Sequence, residues 1–370
     1  SGITFAQPAE IAIPYISGKT SRLQQFVFDH ALNEWFPIPF RRIDTKSKLV
    51  VGLTPHFSVY VASDHKEREI HFPDTNLEKA VRERINKIDN EALSLGDVYY
   101  IEELDAAKYG ITDLSGIDSL HYLKMVDLSE NDIKSLAPLS KNVNLKILVL
   151  NDNRISDLTP LSNLKNLKTL ALDHNKISNL TPLRSLVNLE DITLDNNTIG
   201  DLTPLSSLVN LKNVTLYYNK IKNISPLASL KNLESVTLDH NEISDLPSFE
   251  KLSKLKSINL SNNPVSDPSN LSKARNLQSV SLDSCSIVYL PDFPGMDSLK
   301  FLSVKYNQIF STADLYGMPN LQYLALMGNR LSDIDGLFPL AKLEVLDLDN
   351  NRLSGKLKLR TFTKLKTLSL

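Results

Sequence analysis

His56-Phe57-Ser58 is the one place in this 370-residue chain where neighbouring residue types could do covalent chemistry. A serine hydroxyl becomes a nucleophile once an imidazole takes its proton, so Ser58 Oγ, with His56 as general base, could attack the adjoining Phe57 carbonyl. Strain in that peptide would be needed as well. The competing reading puts Phe57 in a core and leaves His56 and Ser58 on the opposite face of a strand. The other candidates are thinner. His174 and His240 each follow an aspartate, Asp173 and Asp239, while His30, His65, His71 and His121 fall at no ligand spacing. Cys285 is the single cysteine, which rules out an internal disulfide framework and any multi-thiolate metal site. There is no glycine-rich phosphate loop and no nucleophile elbow. No metal, no cofactor and no enzymatic activity are expected.

Whatever the chain does must then be done by its surface. It carries 41 Lys+Arg against 43 Asp+Glu, a formal charge of −2, so no strong field draws it to nucleic acid or to an acidic membrane. No stretch approaches the ~18 uninterrupted apolar residues of a spanning helix, so no membrane insertion is expected. The length exceeds the roughly 250–300 residues that one compact core covers, which points to two domains or an elongated repeat. The first residue is Ser and no basic-then-apolar leader follows it, so the chain reads as a fragment of something longer.

Leucine decides between those options. The first 100 positions hold 7 leucines and the remaining 270 hold 56. A period of 22 runs from Ile101 through Leu123, Leu145, Leu167 and onward to Leu365, giving twelve full repeats and the opening of a thirteenth. In one unit, Leu167, Leu170 and Leu172 alternate with polar residues as in a short strand with one buried face. Ile177, Leu180, Leu183 and Leu186 then recur every three residues, the spacing of a 3₁₀-like return, and Pro182 suits a turn that gives no ladder bond. One such unit cannot bury its leucines, but stacked units can. The expected fold is an α/β solenoid: 22-residue leucine-rich repeats, each a parallel β-strand and a 3₁₀-like turn. Solenoid ends need covering, and Leu365, Leu368 and Leu370 fill core places with nothing after them, so the C-terminus is expected to be an artificial end.

An asparagine column from Asn131 to Asn351 keeps one place in the frame, where an inward amide can satisfy the backbone of its own and the adjacent turn. Cys285 occupies that place in the ninth repeat and is read as structural rather than as a redox thiol. At ~4.8 Å per repeat, His174 and His240 stand about 14 Å apart and cannot share a metal.

The 22-residue form, Ile-x-x-Leu-x-Pro-Leu-x-x-Leu-x-Asn-Leu, resembles the internalin family of bacterial surface proteins from Ile70 to Leu370. The segment IHFPDTNLEKAVRERI, Ile70 to Ile85, is similar to that family's helical N-terminal cap, and YGITDLSGIDSL, Tyr109 to Leu120, to its cap-to-repeat junction. Independently of the family, Asp74 can cap a helix, and Leu77, Ala80, Val81 and Ile85 form one apolar stripe, which predicts a helix over about 74–88. Five alternating pieces, Ala9–Ile16, Leu23–Asp29, Glu34–Asp44, Lys48–Leu53 and His56–Ser63, precede it. With Ile13-Pro14-Tyr15, Trp35, Pro37 and Tyr60 they resemble the C-terminal portion of a β-sandwich found in ankyrins, netrin receptors and bacterial exported proteins. That resemblance implies self-cleavage before Ser58 in some eukaryotic relatives and structural use of the triplet in bacterial ones, and the structural use is the expectation here. The expected organisation is a small all-β domain over 1–66, a helical cap over 67–100 and repeats over 101–370.

Strand residues at the third, fifth, seventh and eighth places of each frame should line the concave face. The seventh place is mostly small and acidic, with Asp173, Asp195, Asp239 and Asp283. Two aromatic interruptions stand out: Tyr217 with Tyr218, and the larger group Phe301, Tyr306, Tyr323, Met327 and Val345, with Lys305 beside it. Exposed aromatics are what interface hot spots are made of. The expectation is non-enzymatic binding of a macromolecular ligand, a protein, by a monomer. The aspartates would form a steering rim, and the internalin resemblance implies an extracellular or cell-surface adhesion role in bacteria. The alternatives are a self-processing sandwich served by the repeats, or a rigid spacer.

Overall fold

The structure, a computed structural model, describes residues 69–87, 91–312, 315, 317–354 and 357–370 with their side chains, and before them the backbone of six strands between residues 4 and 63. The chain divides into two compact units, Ser1–Leu145 and Lys146–Leu370.

The first unit opens with β1 (Thr4–Pro14), β2 (Gln24–Asp29), β3 (Glu34–Ile38), β4 (Phe40–Asp44), β5 (Leu49–His56) and β6 (Tyr60–Ser63), arranged as two antiparallel sheets in the orders β1-β5-β4 and β3-β2-β6. The piece expected to run unbroken over Glu34–Asp44 is divided between the two sheets. In the sequence Pro39, which has no N–H to donate, falls between β3 and β4. His56 closes β5, and Phe57 and Ser58 lie outside the described residues.

The cap follows. β7 (Glu69–Ile70) pairs antiparallel with β8 (Leu93–Ser94), and α1 (Thr75–Arg84) lies between them in sequence, with the short α2 (Leu95–Val98) after them. Asp74 Oδ1 accepts the N–H groups of Asn76 (2.9 Å) and Leu77 (3.2 Å), while Leu77, Ala80 and Val81 are buried. The helix stops short of the expected residue 88 because Asn86 takes the left-handed conformation, φ +56°. The other Asp74 oxygen accepts the N–H groups of Thr112 (2.8 Å) and Asp113 (3.1 Å), fastening the cap to the first repeat. Burial opposes ionisation there, but these four backbone donors outweigh it and hold the carboxyl below the ordinary aspartate range. β9 (Glu103–Asp105) and β10 (Met125–Asp127) pair in parallel at a register of 22 residues, Met125 beside Glu103.

In the second unit one three-residue strand per repeat continues the frame: β11 (Ile147–Val149), β12 (Thr169–Ala171), β13 (Asp191–Thr193), β14 (Asn213–Thr215), β15 (Ser235–Thr237), β16 (Ser257–Asn259), β17 (Ser279–Ser281), β18 (Phe301–Ser303), β19 (Tyr323–Ala325), β20 (Val345–Asp347) and β21 (Thr367–Ser369). Each is parallel to the next, and every described register is again 22, as Leu170 beside Ile192 and Leu302 beside Leu324. The central residue of each strand from β11 to β20 is buried and the residue before it is half-buried or exposed, the single-faced burial that the leucine alternation demands. Returns are 3₁₀ turns such as Thr181–Ser185 and Thr203–Ser207, each with proline at the start. The side chain of Asn179 or Asp201 accepts the N–H two residues on, a local bond that sets the turn.

The asparagine column joins repeat to repeat. Asn197 Nδ2 donates to the carbonyls of Leu172 (3.0 Å), Leu194 (3.1 Å) and Asp195 (3.2 Å), and its Oδ1 accepts the N–H of Ile177 (2.9 Å). Cys285 replaces this set with two weak donations, to Leu260 O (3.5 Å) and Asp283 O (3.7 Å). Burial pushes its thiol up to about 11, the state of an inert structural cysteine. At the second place of the frame run ion pairs, with Glu190 bound by both Lys168 (2.8 Å) and Lys212 (2.5 Å).

Candidate functional site

With the leucines turned inward, the third, fifth, seventh and eighth places of each frame supply the strand face. The eighth place has a property that the hydrophobic pattern does not carry: its backbone is left-handed. Asp152, His174, Asn196, Tyr218, His240, Asn262, Ser284, Tyr306 and Asn350 have φ between +52° and +58°, and Gly328 has +70°. Asn, Asp and Gly accept that conformation at low cost, whereas an ordinary L-residue loses ~1–2 kcal/mol. Two tyrosines sit there nonetheless, and both are more than half exposed, Tyr218 at 56% and Tyr306 at 54%.

Tyr306 belongs to the aromatic group of β18–β20. Phe301, Tyr323 and Val345 open three successive strands in register. The Phe301 and Tyr323 rings stack at 4.4 Å with 13° between planes, forming a half-buried slab with one edge to solvent. The Tyr306 hydroxyl donates to Met327 Sδ at 3.5 Å. A Cβ on Gly328 would come within 2.6 Å of Tyr306 Cδ1, so that glycine makes room for the ring. Lys305 Nζ lies 3.9 Å from Asp347 Oδ2 at the side of the slab. All six residues of the expected group, Lys305 included, stand on one face of three adjacent repeats.

The second aromatic group is larger than the tyrosine pair expected from sequence. Tyr217 and Tyr218 (5.5 Å between ring centres) are joined by His240 of the next repeat, edge-on to Tyr217 at 5.0 Å and stacked on Tyr218 at 5.3 Å, 26° between planes. Among the described residues no group of three His, Cys, Asp or Glu could hold an ion. The signal for the role of His240 was its place, 22 residues after Tyr218.

The seventh-place aspartates are half-buried on the same face and have structural partners. Asp173 Oδ1 accepts the N–H of Asp195 (2.8 Å), Asp195 accepts that of Tyr217 (2.7 Å), and Asp283 accepts that of Lys305 (2.7 Å), each bond reaching one repeat onward. Asp239 lies 3.3 Å from His240 Nδ1. Burial pushes the Asp195 carboxyl up, the Tyr217 N–H opposes this, and the negative charges of Asp173 and Asp239 add to the rise. On the return flank, Val288, Tyr289 and Phe310 are exposed apolar residues that sequence reasoning missed. They replace polar residues at the twelfth and thirteenth places, and that departure was the available signal. His56 and Ser58 contribute no side-chain geometry, since their side chains fall outside those described.

A family model described as leucine-rich repeats, in two copies, matches residues 122–163, 143–185, 165–207, 209–251, 231–273 and 319–359, together more than half of the chain. No curated protein matches. Among solved structures, the chain is similar to an internalin (inlF) of Listeria monocytogenes, at 26% identity over 81% of this chain and 96% of that one, TM-score 0.74. It is similar to internalin C2 (inlC2) of the same organism at 33% identity over 57% of this chain and 94% of that one, TM-score 0.56. A leucine-rich repeat protein of Leptospira interrogans is 25% identical over 75% of this chain and 85% of that one, TM-score 0.61. Repeats of this kind are scaffolds for protein interaction. Matched by repeat models over more than half its residues and by an internalin a third identical over nearly that whole protein, the chain belongs to the leucine-rich repeat family, in its internalin-like group.

Proposed function

We propose that this chain is a bacterial extracellular or cell-surface adhesion module that binds a protein ligand, without catalysis, on the strand face of its repeats. Residues 1–66 would be a sandwich-like domain, 67–100 the cap and 101–370 the binding arm. The observation that carries the reading is the slab of Phe301 stacked on Tyr323, flanked by exposed Tyr306. At the same strand place, β16 and β17 present Ser257 and Ser279, so the repeat itself does not require an aromatic there. Rigid aromatic area lost from a true anchor costs ~2 kcal/mol or more, over tenfold in affinity. Surface location and adhesion rest on the likeness to internalins of Listeria monocytogenes.

The test uses the full chain, fluorescently labelled, on intact host cells and on neighbouring bacterial cells. Saturable binding to one of them should weaken at least tenfold in the Phe301→Ala, Tyr323→Ala double variant, with the melting transition retained. Equal binding by the variant removes the slab from the site. Absence of saturable, protease-sensitive binding to any cell surface overturns the adhesion reading.

A further inference from the structure

We propose a second docking point on the same face: the Tyr217–Tyr218–His240 platform is a receptor for an arginine side chain of a basic protein segment. The idea rests on the protein-binding reading above and names the chemistry of the partner at a different place, with β14 and β15 supplying the rings.

Charge supplies the first argument. From β11 to β16 the third, fifth, seventh and eighth places hold Asp152, Asp173, Asp191, Asp195 and Asp239, and no Lys or Arg. The whole chain is nearly balanced, so this face has been depleted of cations locally. Of the lysines at the second place beside it, Lys168 and Lys212 are paired with Glu190 and Lys256 with Glu234. Burial does most to raise the Asp195 carboxyl, and the negative charges of Asp173 and Asp239 add to the rise. A partner that brings positive charge relieves it.

Ring geometry supplies the second. Tyr218 lays one ring face on His240, 26° between planes, with Tyr217 closing one edge, and at 56% exposure it is the ring of the three that offers most surface to solvent. A planar guanidinium stacks on such a face and keeps its in-plane N–H groups free for carboxylates, which a compact ammonium cannot do. Asp239, 3.3 Å from the His240 ring, is a carboxylate acceptor beside the platform. Strain supplies the third argument. Tyr218 holds φ +57°, where its neighbours in the column are Asn196 and His240 and where asparagine costs little.

The probe is a hexa-arginine peptide titrated calorimetrically into the full chain at physiological salt, with hexa-lysine and hexa-glutamate in parallel. Hexa-arginine should bind more tightly than hexa-lysine, and hexa-glutamate should not bind. Tyr218→Asn keeps the left-handed backbone and removes the ring, and it should weaken hexa-arginine about fivefold or more. Asp239→Asn should weaken it as well, while Phe301→Ala leaves it unchanged. No binding of hexa-arginine, equal binding of the two cationic peptides, or indifference to Tyr218→Asn each overturns the proposal. If cells are bound and hexa-arginine is not, this platform falls and the protein-binding reading stands.

Discussion

Replacing Asn197 by alanine removes four hydrogen bonds, but the bonds are not equal and their inequality sets the cost. The carbonyl of Leu172 also accepts from Asn175 (3.1 Å), and that of Leu194 also accepts from Asn219 (2.9 Å). The carbonyl of Asp195 keeps the N–H of His174 (2.8 Å). Each of these oxygens therefore loses one donor of two and stays satisfied. The Ile177 N–H has Asn197 Oδ1 as its described acceptor, in a buried contact, and becomes an orphan. An unsatisfied buried donor costs ~1–3 kcal/mol, and the weakened carbonyl bonds add about 1 kcal/mol more, so Asn197→Ala should destabilise by roughly 2–4 kcal/mol. Asn197→Asp should be worse at neutral pH, because a carboxylate oxygen would face the carbonyls of Leu172 and Leu194. Urea unfolding followed by circular dichroism measures the loss, and hydrogen exchange at Ile177 locates it. A loss under ~0.5 kcal/mol, or unchanged protection of the Ile177 amide, would falsify the claim that this column carries inter-repeat cohesion.

Cys285→Asn restores at the ninth repeat the amide set its neighbours use, and it should stabilise the chain by about 1–2 kcal/mol in the same urea assay; the native thiol should resist alkylation at pH 8, since burial holds it near 11. Asp74 is depressed below the ordinary aspartate value in the fold, so its contribution is fully present above that ordinary value and is lost as pH falls through the lower, folded one. Protection of the Thr112 and Asp113 amides should fade in that acidic window, and the fade should be absent in Asp74→Asn.

The fold was readable because a 22-residue period is a one-dimensional signal: Leu167, Leu170 and Leu172 state which face is buried, and stacking does the rest. The left-handed eighth place was not, because it depends on φ and not on hydropathy. A column of Asn, Asp, His, Ser and Gly was a compositional hint to it. The seventh-place aspartates read as a free acidic rim, since nothing in a sequence shows that the acceptor of the Tyr217 N–H is a side chain one repeat earlier. They stand on the expected face, yet Asp173, Asp195 and Asp283 each accept an N–H of the next repeat and Asp239 faces His240, so charge-neutral Asp→Asn changes are the fair probe of their electrostatics and Asp→Ala is not. His240 follows Asp239 in the sequence with no third ligand at metal spacing, and its contact with Tyr218 follows only when residues one period apart are treated as neighbours.

The two left-handed tyrosines connect fold to function. Each costs ~1–2 kcal/mol over asparagine at the same place. Each recovers part of that within the chain, Tyr218 by stacking on His240 and Tyr306 through the space over Gly328 and the bond to Met327. The fold itself comes out close to neutral and would have been served at least as well by the asparagines found at Asn196 and Asn262. What the tyrosines add is exposed aromatic area on a backbone with one conformation, and ordering such a ring on binding costs little entropy. They lie four repeats apart, ~19 Å along the sheet at ~4.8 Å per repeat, which an extended segment of about six residues spans. A ligand touching both points would meet an acidic platform at one end and a largely apolar slab at the other. Its orientation along the solenoid would then be fixed by charge, because reversing it would set a basic side chain against Phe301 and Tyr323 and leave the aspartates without a partner.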